Sequence, residues 1–119
     1  MNWDEIIDRA RKTIAPATAD RLQTLRQLPI DDEGLPLSVT AASSFVRFCT
    51  LVGITKTPTL YVAPDGGLRA TWWSFGARRS RDEWLMWFRP DGRVWVSWFF
   101  GDQFSETKGS FRFRMGDGR

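Results

Sequence analysis

The chain has 119 residues and a formal charge of +3, from 17 basic and 14 acidic side chains, with no histidine and one cysteine. That length fits one domain at ~100–200 residues each. The composition excludes zinc sites built on histidine or paired cysteines, histidine-assisted nucleophiles and a disulfide framework. What remains unusual is 17 aromatics, seven of them tryptophan, and 14 arginines against three lysines.

In chain order, Asn2 followed by Glu5 forms a capping box. Trp3, Ile6, Ile7, Ala10 and Ile14 then recur at helical spacing until Pro16 stops or kinks the run. A second helix is expected from about Thr18 to Gln27, with Leu22, Leu25 and Leu28 on one side. Residues 29–37 read as a loop by their Pro, Gly and acid content. Ser38 is a good N-cap for a third helix, which carries Ala42, Phe45, Val46, Cys49 and Val52 on one stripe and ends at Gly53.

After Pro58 the period changes to two. Leu60 and Val62 alternate with Thr59 and Tyr61, and Pro64-Asp65-Gly66-Gly67 supplies a hairpin turn. Leu68, Ala70 and Trp72 alternate with Arg69, Thr71 and Trp73; a polar loop over 76–82 leads to a strand over 83–89. Pro90-Asp91-Gly92 turns into a strand over 93–100. A weaker hairpin follows, with Phe104 before a Lys108-Gly109 turn and Phe111 to Arg114 after it, and 115–119 read as a frayed tail. Strands joined by such short turns are antiparallel neighbours. The expected fold is a single α+β domain: helices over about 1–53 packed on one face of a four- to five-stranded antiparallel meander over about 58–114.

Successive strand residues point to opposite faces. Leu60, Val62, Leu68, Ala70, Trp72, Trp84, Met86, Phe88, Val94, Val96 and Trp98 form the expected core face under the helices. The other face holds Arg69, Trp73, Trp87, Arg89, Arg93, Trp95 and Phe99. Trp73, Trp87, Trp95 and Phe99 together exceed the apolar patch that a soluble monomer usually leaves bare. Three covers are open: the C-terminal segment with Phe104, Phe111 and Phe113, a twofold copy of the same face, or a different partner.

Catalysis has little to stand on. Asp65 and Asp91 sit in Pro-Asp-Gly turns, where their side chains bond local backbone. Asp31-Asp32-Glu33 lacks the ligand ladder of a calcium loop and reads as a solvated charge run. No helix opens after Gly66-Gly67, so it is no phosphate cradle. Cys49 falls on an apolar stripe as an inert thiol. No enzyme activity, metal or cofactor is expected. Three acids in the first eight residues and no long apolar run point to a cytoplasmic protein without a membrane partner.

The positive excess has a location. Residues 1–60 hold seven basic and seven acidic residues, and 61–119 hold ten and seven. Arg78, Arg79 and Arg81 form a basic rim beside the tryptophans. Trp and Arg are the residues most enriched at protein–protein hot spots, so a macromolecular protein partner is the leading expectation, with a homodimer as a further one. Aromatic platforms flanked by arginines also hold single-stranded nucleic acid, although no ribonucleoprotein-type Gly-Phe-Gly-Phe-Val signature is present.

Residues from about 20 to 100 resemble a group of small bacterial and phage proteins, accessory genes of mobile elements. The matching pieces are Arg21-Leu22-Gln23-Thr24-Leu25, Leu35-Pro36-Leu37-Ser38 with Ala41-Ala42, Pro58, Pro64-Asp65-Gly66-Gly67-Leu68 with Trp72, and Pro90-Asp91-Gly92. The group's acidic loop often reads Trp-Asp-Gly, where this chain has Asp32-Glu33-Gly34. The resemblance implies an antitoxin or a phage-encoded inhibitor of a defence system such as an anti-CRISPR. The Arg and Trp excess after residue 72 departs from the group's pattern.

Overall fold

The computed structural model describes residues 1–28, 34–75, 81–101 and 106–115, with the backbone alone at 74, 75, 81, 106 and 107. Its first helix, α1 (Trp3–Thr13), starts where Asn2 Oδ1 accepts the Glu5 N–H at 2.9 Å. Asp4 and Glu5 sit in the first turn and Arg11 and Lys12 in the last, each matching the helix dipole. The second helix, α2 (Pro16–Arg26), begins at the proline itself. Pro16 therefore starts a helix, two residues earlier than spacing suggests, because the first helical position needs no N–H. Leu22 and Leu25 are buried, whereas Leu28, past the helix end, is exposed.

The third helix, α3 (Val39–Val52), begins with Ser38 Oγ accepting the Ala41 N–H at 3.2 Å and ends at Gly53 with φ +81°. Ala42, Phe45, Val46 and Cys49 are buried as expected, but Val52 is 60% exposed. It lies in the helix's last turn and, with Phe48, Ile54, Trp72, Trp84 and Met86, lines a hollow of about 240 Å³ at the open end of the core.

The strands β1 (Thr59–Val62), β2 (Leu68–Phe75), β3 (Arg81–Phe88), β4 (Arg93–Gly101) and β5 (Glu106–Arg114) form one sheet in sequence order. Every pair is antiparallel, so the α+β meander is the fold. Two details differ from expectation. Arg81 and Asp82 belong to β3 and not to the loop before it. Gly109 is no turn: it lies in mid-strand opposite Trp98, where a Cβ would collide with the Trp98 ring. Met115 is also held, with its N–H donating to Gly92 O at 3.2 Å and its side chain against the core. The residues beyond it lie outside the described ones.

The core forms where α3 lies on the sheet. Leu60, Leu68, Ala70, Met86, Phe88, Val94 and Val96 are buried on that face. Phe88 meets Phe45 edge-on at 5.5 Å and Phe48 at 5.9 Å. The helix covers only part of strands that are ~27–31 Å long at ~3.4 Å per residue. Trp84 and Trp98, assigned to the core by alternation, share its face but lie past the covered zone, and Trp84 is 39% exposed. There the rings pack on one another: Trp84 on Trp98 at 6.1 Å, Trp84 on Phe100 at 5.3 Å, and Trp98 on Phe111 at 5.8 Å.

The hairpin turns explain the motifs that punctuate the sequence. Asp65 Oδ1 accepts the Gly67 N–H at 2.8 Å and Asp91 Oδ1 accepts the Arg93 N–H at 3.0 Å. Gly66 has φ +83°, and a Cβ there would also meet Pro36 O at 2.7 Å. The preceding loop is tied to this turn by Leu35 N–H to Pro64 O (3.2 Å) and Ser38 N–H to Gly66 O (2.8 Å). The Leu-Pro-Leu-Ser and Pro-Asp-Gly-Gly segments are therefore two halves of one structural joint.

Candidate interaction face

The side of the sheet away from the helices carries the candidate site. Register fixes its central row, because Tyr61 pairs with Arg69, Arg69 with Trp87, Trp87 with Trp95, and Trp95 with Arg112. One residue from each strand thus forms a ladder across the whole sheet. Trp87 and Trp95 meet edge to face, with centroids 4.9 Å apart at 75°.

Arginines fill the spaces between the rings. The Arg69 guanidinium carbon lies 4.8 Å from the Trp87 centroid and 5.8 Å from that of Tyr61. Arg89 lies 5.3 Å from Trp87 and 5.0 Å from Trp95, and Arg112 lies 4.1 Å from Trp95. A cation over a ring face is attracted by the ring quadrupole. The tight fit buries Arg69 Nε, Arg89 Nε and Trp87 Nε1 without hydrogen-bond partners. A stacked guanidinium still directs its in-plane N–H groups outward from the ring, where they suit a carboxylate or phosphate.

Beyond the ladder, Arg93 pairs across the strands with Arg114, and Asp91 lies between Arg89 (3.9 Å) and Arg93 (3.8 Å). The Arg93 backbone N–H, then the charges of Arg89, Arg93 and Arg114, hold the Asp91 carboxyl below its ordinary range. Asp65 Oδ2 stands 4.0 Å from Arg89 Nε. Trp87 is braced from beneath: a Cβ on Gly67 would lie 2.7 Å from Trp87 Nε1, so that glycine makes room for the indole.

Of the residues expected at the site, Arg69, Trp87, Arg89 and Trp95 come together, with Arg93 beside them. Trp73 and Phe99 occupy a different row, with Glu83 and Lys108, separated from the ladder by Thr71, Leu85, Ser97 and Ser110. Phe99, Leu85 and Ser97 help line an open hollow of about 460 Å³ there. Arg78 and Arg79 lie outside the described residues, and Arg81 is placed only by its backbone at the start of β3. Tyr61 and Arg112 complete the ladder and were not among the expected site residues. The parity of Tyr61 with Arg69 and of Arg112 with Trp95 was readable, but their register was not.

The described part of the C-terminal segment, residues 106–115, does not fold over this face, and Phe104 lies outside the described residues. Phe111 and Phe113 sit on the helix side, since β5 continues the sheet. The cover expected from a tail is supplied by arginines. Elsewhere, burial pushes the Cys49 thiol up to about 12, which keeps it protonated. Among the described residues no group of carboxylates and cysteines is placed to hold a metal ion, and no helix is long and apolar enough to cross a membrane. The Asp31-Asp32-Glu33 run lies outside the described residues.

Comparison with known proteins yields no match to a family model, a curated protein or a solved structure.

Proposed function

We propose that the chain is a non-enzymatic binding module that occludes an acidic surface of a protein partner with its Arg–Trp face, in the manner of an antitoxin or a phage-encoded inhibitor of a defence complex. The observation that carries this reading is the five-strand ladder Tyr61–Arg69–Trp87–Trp95–Arg112, in which the guanidiniums are already stacked. Rings and cations held in place before binding lose little conformational entropy on binding. The side chains flanking the ladder add Arg89, Arg93 and Arg114 against Asp65 and Asp91, a cationic balance that suits carboxylates. Its charges raise the association rate more than they slow dissociation.

Single-stranded nucleic acid is the second reading, supported by the same basic and aromatic surface. The stacking favours protein: ring faces that would receive bases already carry Arg69, Arg89 and Arg112. The test is capture of the partner from its host with and without nuclease, followed by titration of the purified partner. Retention after nuclease, with Arg69→Glu and Arg112→Glu each weakening binding at least tenfold, is the expected result. Loss on nuclease treatment, together with oligonucleotide binding that falls steeply with salt, replaces it with the second reading.

A further inference from the structure

The two edges of the sheet are finished differently. At the β1 edge, Arg21 Nε and Nη2 donate to Leu60 O at 3.3 and 3.0 Å, so a side chain caps an outward carbonyl of a four-residue strand. The β5 edge is nine residues long, and none of the described elements lies along its outer side. Met115 N–H bonds Gly92 O toward β4. Antiparallel ladders alternate, so the odd-numbered residues of β5 bond inward and Lys108, Ser110 and Arg112 direct their backbone groups outward. An open edge of this kind is a template for another strand.

Apolar surface runs up to the same edge. Trp98 leans over Gly109, the one position in β5 without a side chain to block it, and Phe111 beside it is 48% exposed. Together with Trp84 and Phe100 they form an aromatic patch on the helix side, away from the Arg–Trp face.

We infer that β5 pairs with β5 of a second copy, antiparallel about a twofold axis at Gly109, to make a continuous ten-stranded sheet. Among axes at Lys108, Gly109 and Ser110, charge favours the one at Gly109. It sets Lys108 opposite Ser110 of the second copy, with no like charges facing each other among the described side chains. An axis at Ser110 sets Lys108 opposite Arg112 twice, and an axis at Lys108 sets that lysine opposite itself. With the axis at Gly109, the two glycines meet at a non-hydrogen-bonded position, where strands approach most closely, and the two Trp98 rings that cover them come together. The axis is perpendicular to the sheet, so both Arg–Trp ladders face the same way. The dimer therefore offers a partner two copies of the face on the same side of one twisted sheet. The inference goes beyond the partner-binding reading and stands apart from it.

The test is the mass of the intact chain by light scattering and its dimer dissociation constant by sedimentation. The expected result is a reversible dimer. Ser110→Lys, which faces Lys108 of the second copy twice, should weaken it on the order of tenfold, and Ser110→Glu should strengthen it by a similar factor. Ser110→Pro removes an outward N–H that the monomer does not use and should give a folded monomer by circular dichroism. The inference is overturned by a wild-type monomer at high concentration, by Ser110→Lys and Ser110→Glu shifting the constant in the same direction, or by a dimer that survives Ser110→Pro.

Discussion

The two faces of the sheet bury aromatic rings by different means. On the helix side Phe88 is sealed by Phe45 and Phe48 from α3. On the open side Trp87 and Trp95 are sheltered by Arg69, Arg89 and Arg112, side chains of the sheet itself. Arginine is suited to this because its stem is apolar and its planar head stacks. A helix cannot leave its face without unfolding the domain, but a guanidinium can turn from a ring toward a carboxylate at little cost. One face is therefore sealed by a fixed element and the other by side chains that can exchange their contacts.

That contrast can be broken at graded strengths. Phe88→Ala should have the largest effect, a loss of about 3–5 kcal/mol in urea unfolding, as expected for a large ring removed from a packed core. Gly67→Ala comes next because it joins the faces. Its Cβ would lie 2.8 Å from Phe88 O, which is backbone and cannot swing aside, and 2.7 Å from Trp87 Nε1. A loss of about 1–3 kcal/mol is expected, with a change in the chain's tryptophan fluorescence. Gly92→Ala is a control with no neighbour within 4 Å and only its φ of +85° to strain it; about 1–2 kcal/mol is expected. Arg112→Ala should cost no more than about 1 kcal/mol of stability yet weaken the partner complex at least tenfold. If Arg112→Ala destabilises the chain as much as Phe88→Ala does, the open face is a second core and the contrast fails.

The parts legible in sequence were those that neighbours along the chain determine. Asn2, Ser38 and Gly53 announced helix ends through local hydrogen bonds and a left-handed residue, and the structure uses each of them. Alternation sorted the strands into two faces correctly, including Trp87 with Arg69. What alternation cannot supply is position along the strand. Trp73 and Trp95 share a face, but the pairing register sets them in different rows. Arg112 reaches Trp95 only because β5 pairs along its whole length, and Gly109 hid this by reading as a turn. The extent of helix cover was hidden for the same reason. Nothing local to Trp84 tells that α3 stops short of it.

The smallest effect probes the electrostatics of the open face alone. Asp91 accepts the Arg93 N–H and sits among Arg89, Arg93 and Arg114, which lower its pKa from the ordinary 3.8. A carboxyl whose folded-state pKa is depressed contributes stability above its unfolded value, and that contribution is lost as pH falls through the folded one. Asp91→Asn keeps a neutral acceptor in the turn and removes the charge. The wild type should therefore unfold at slightly higher denaturant than Asp91→Asn at neutral pH, and the gap should close as pH falls below 3.8. Added salt should narrow the neutral-pH gap as well, because the carboxylate is exposed and its arginine partners are screened. A gap that persists unchanged to low pH would mean that Asp91 acts through turn geometry only. The arginines of this face would then be held without help from the Asp91 charge, leaving Asp65, 4.0 Å from Arg89 Nε, as their other nearby carboxylate.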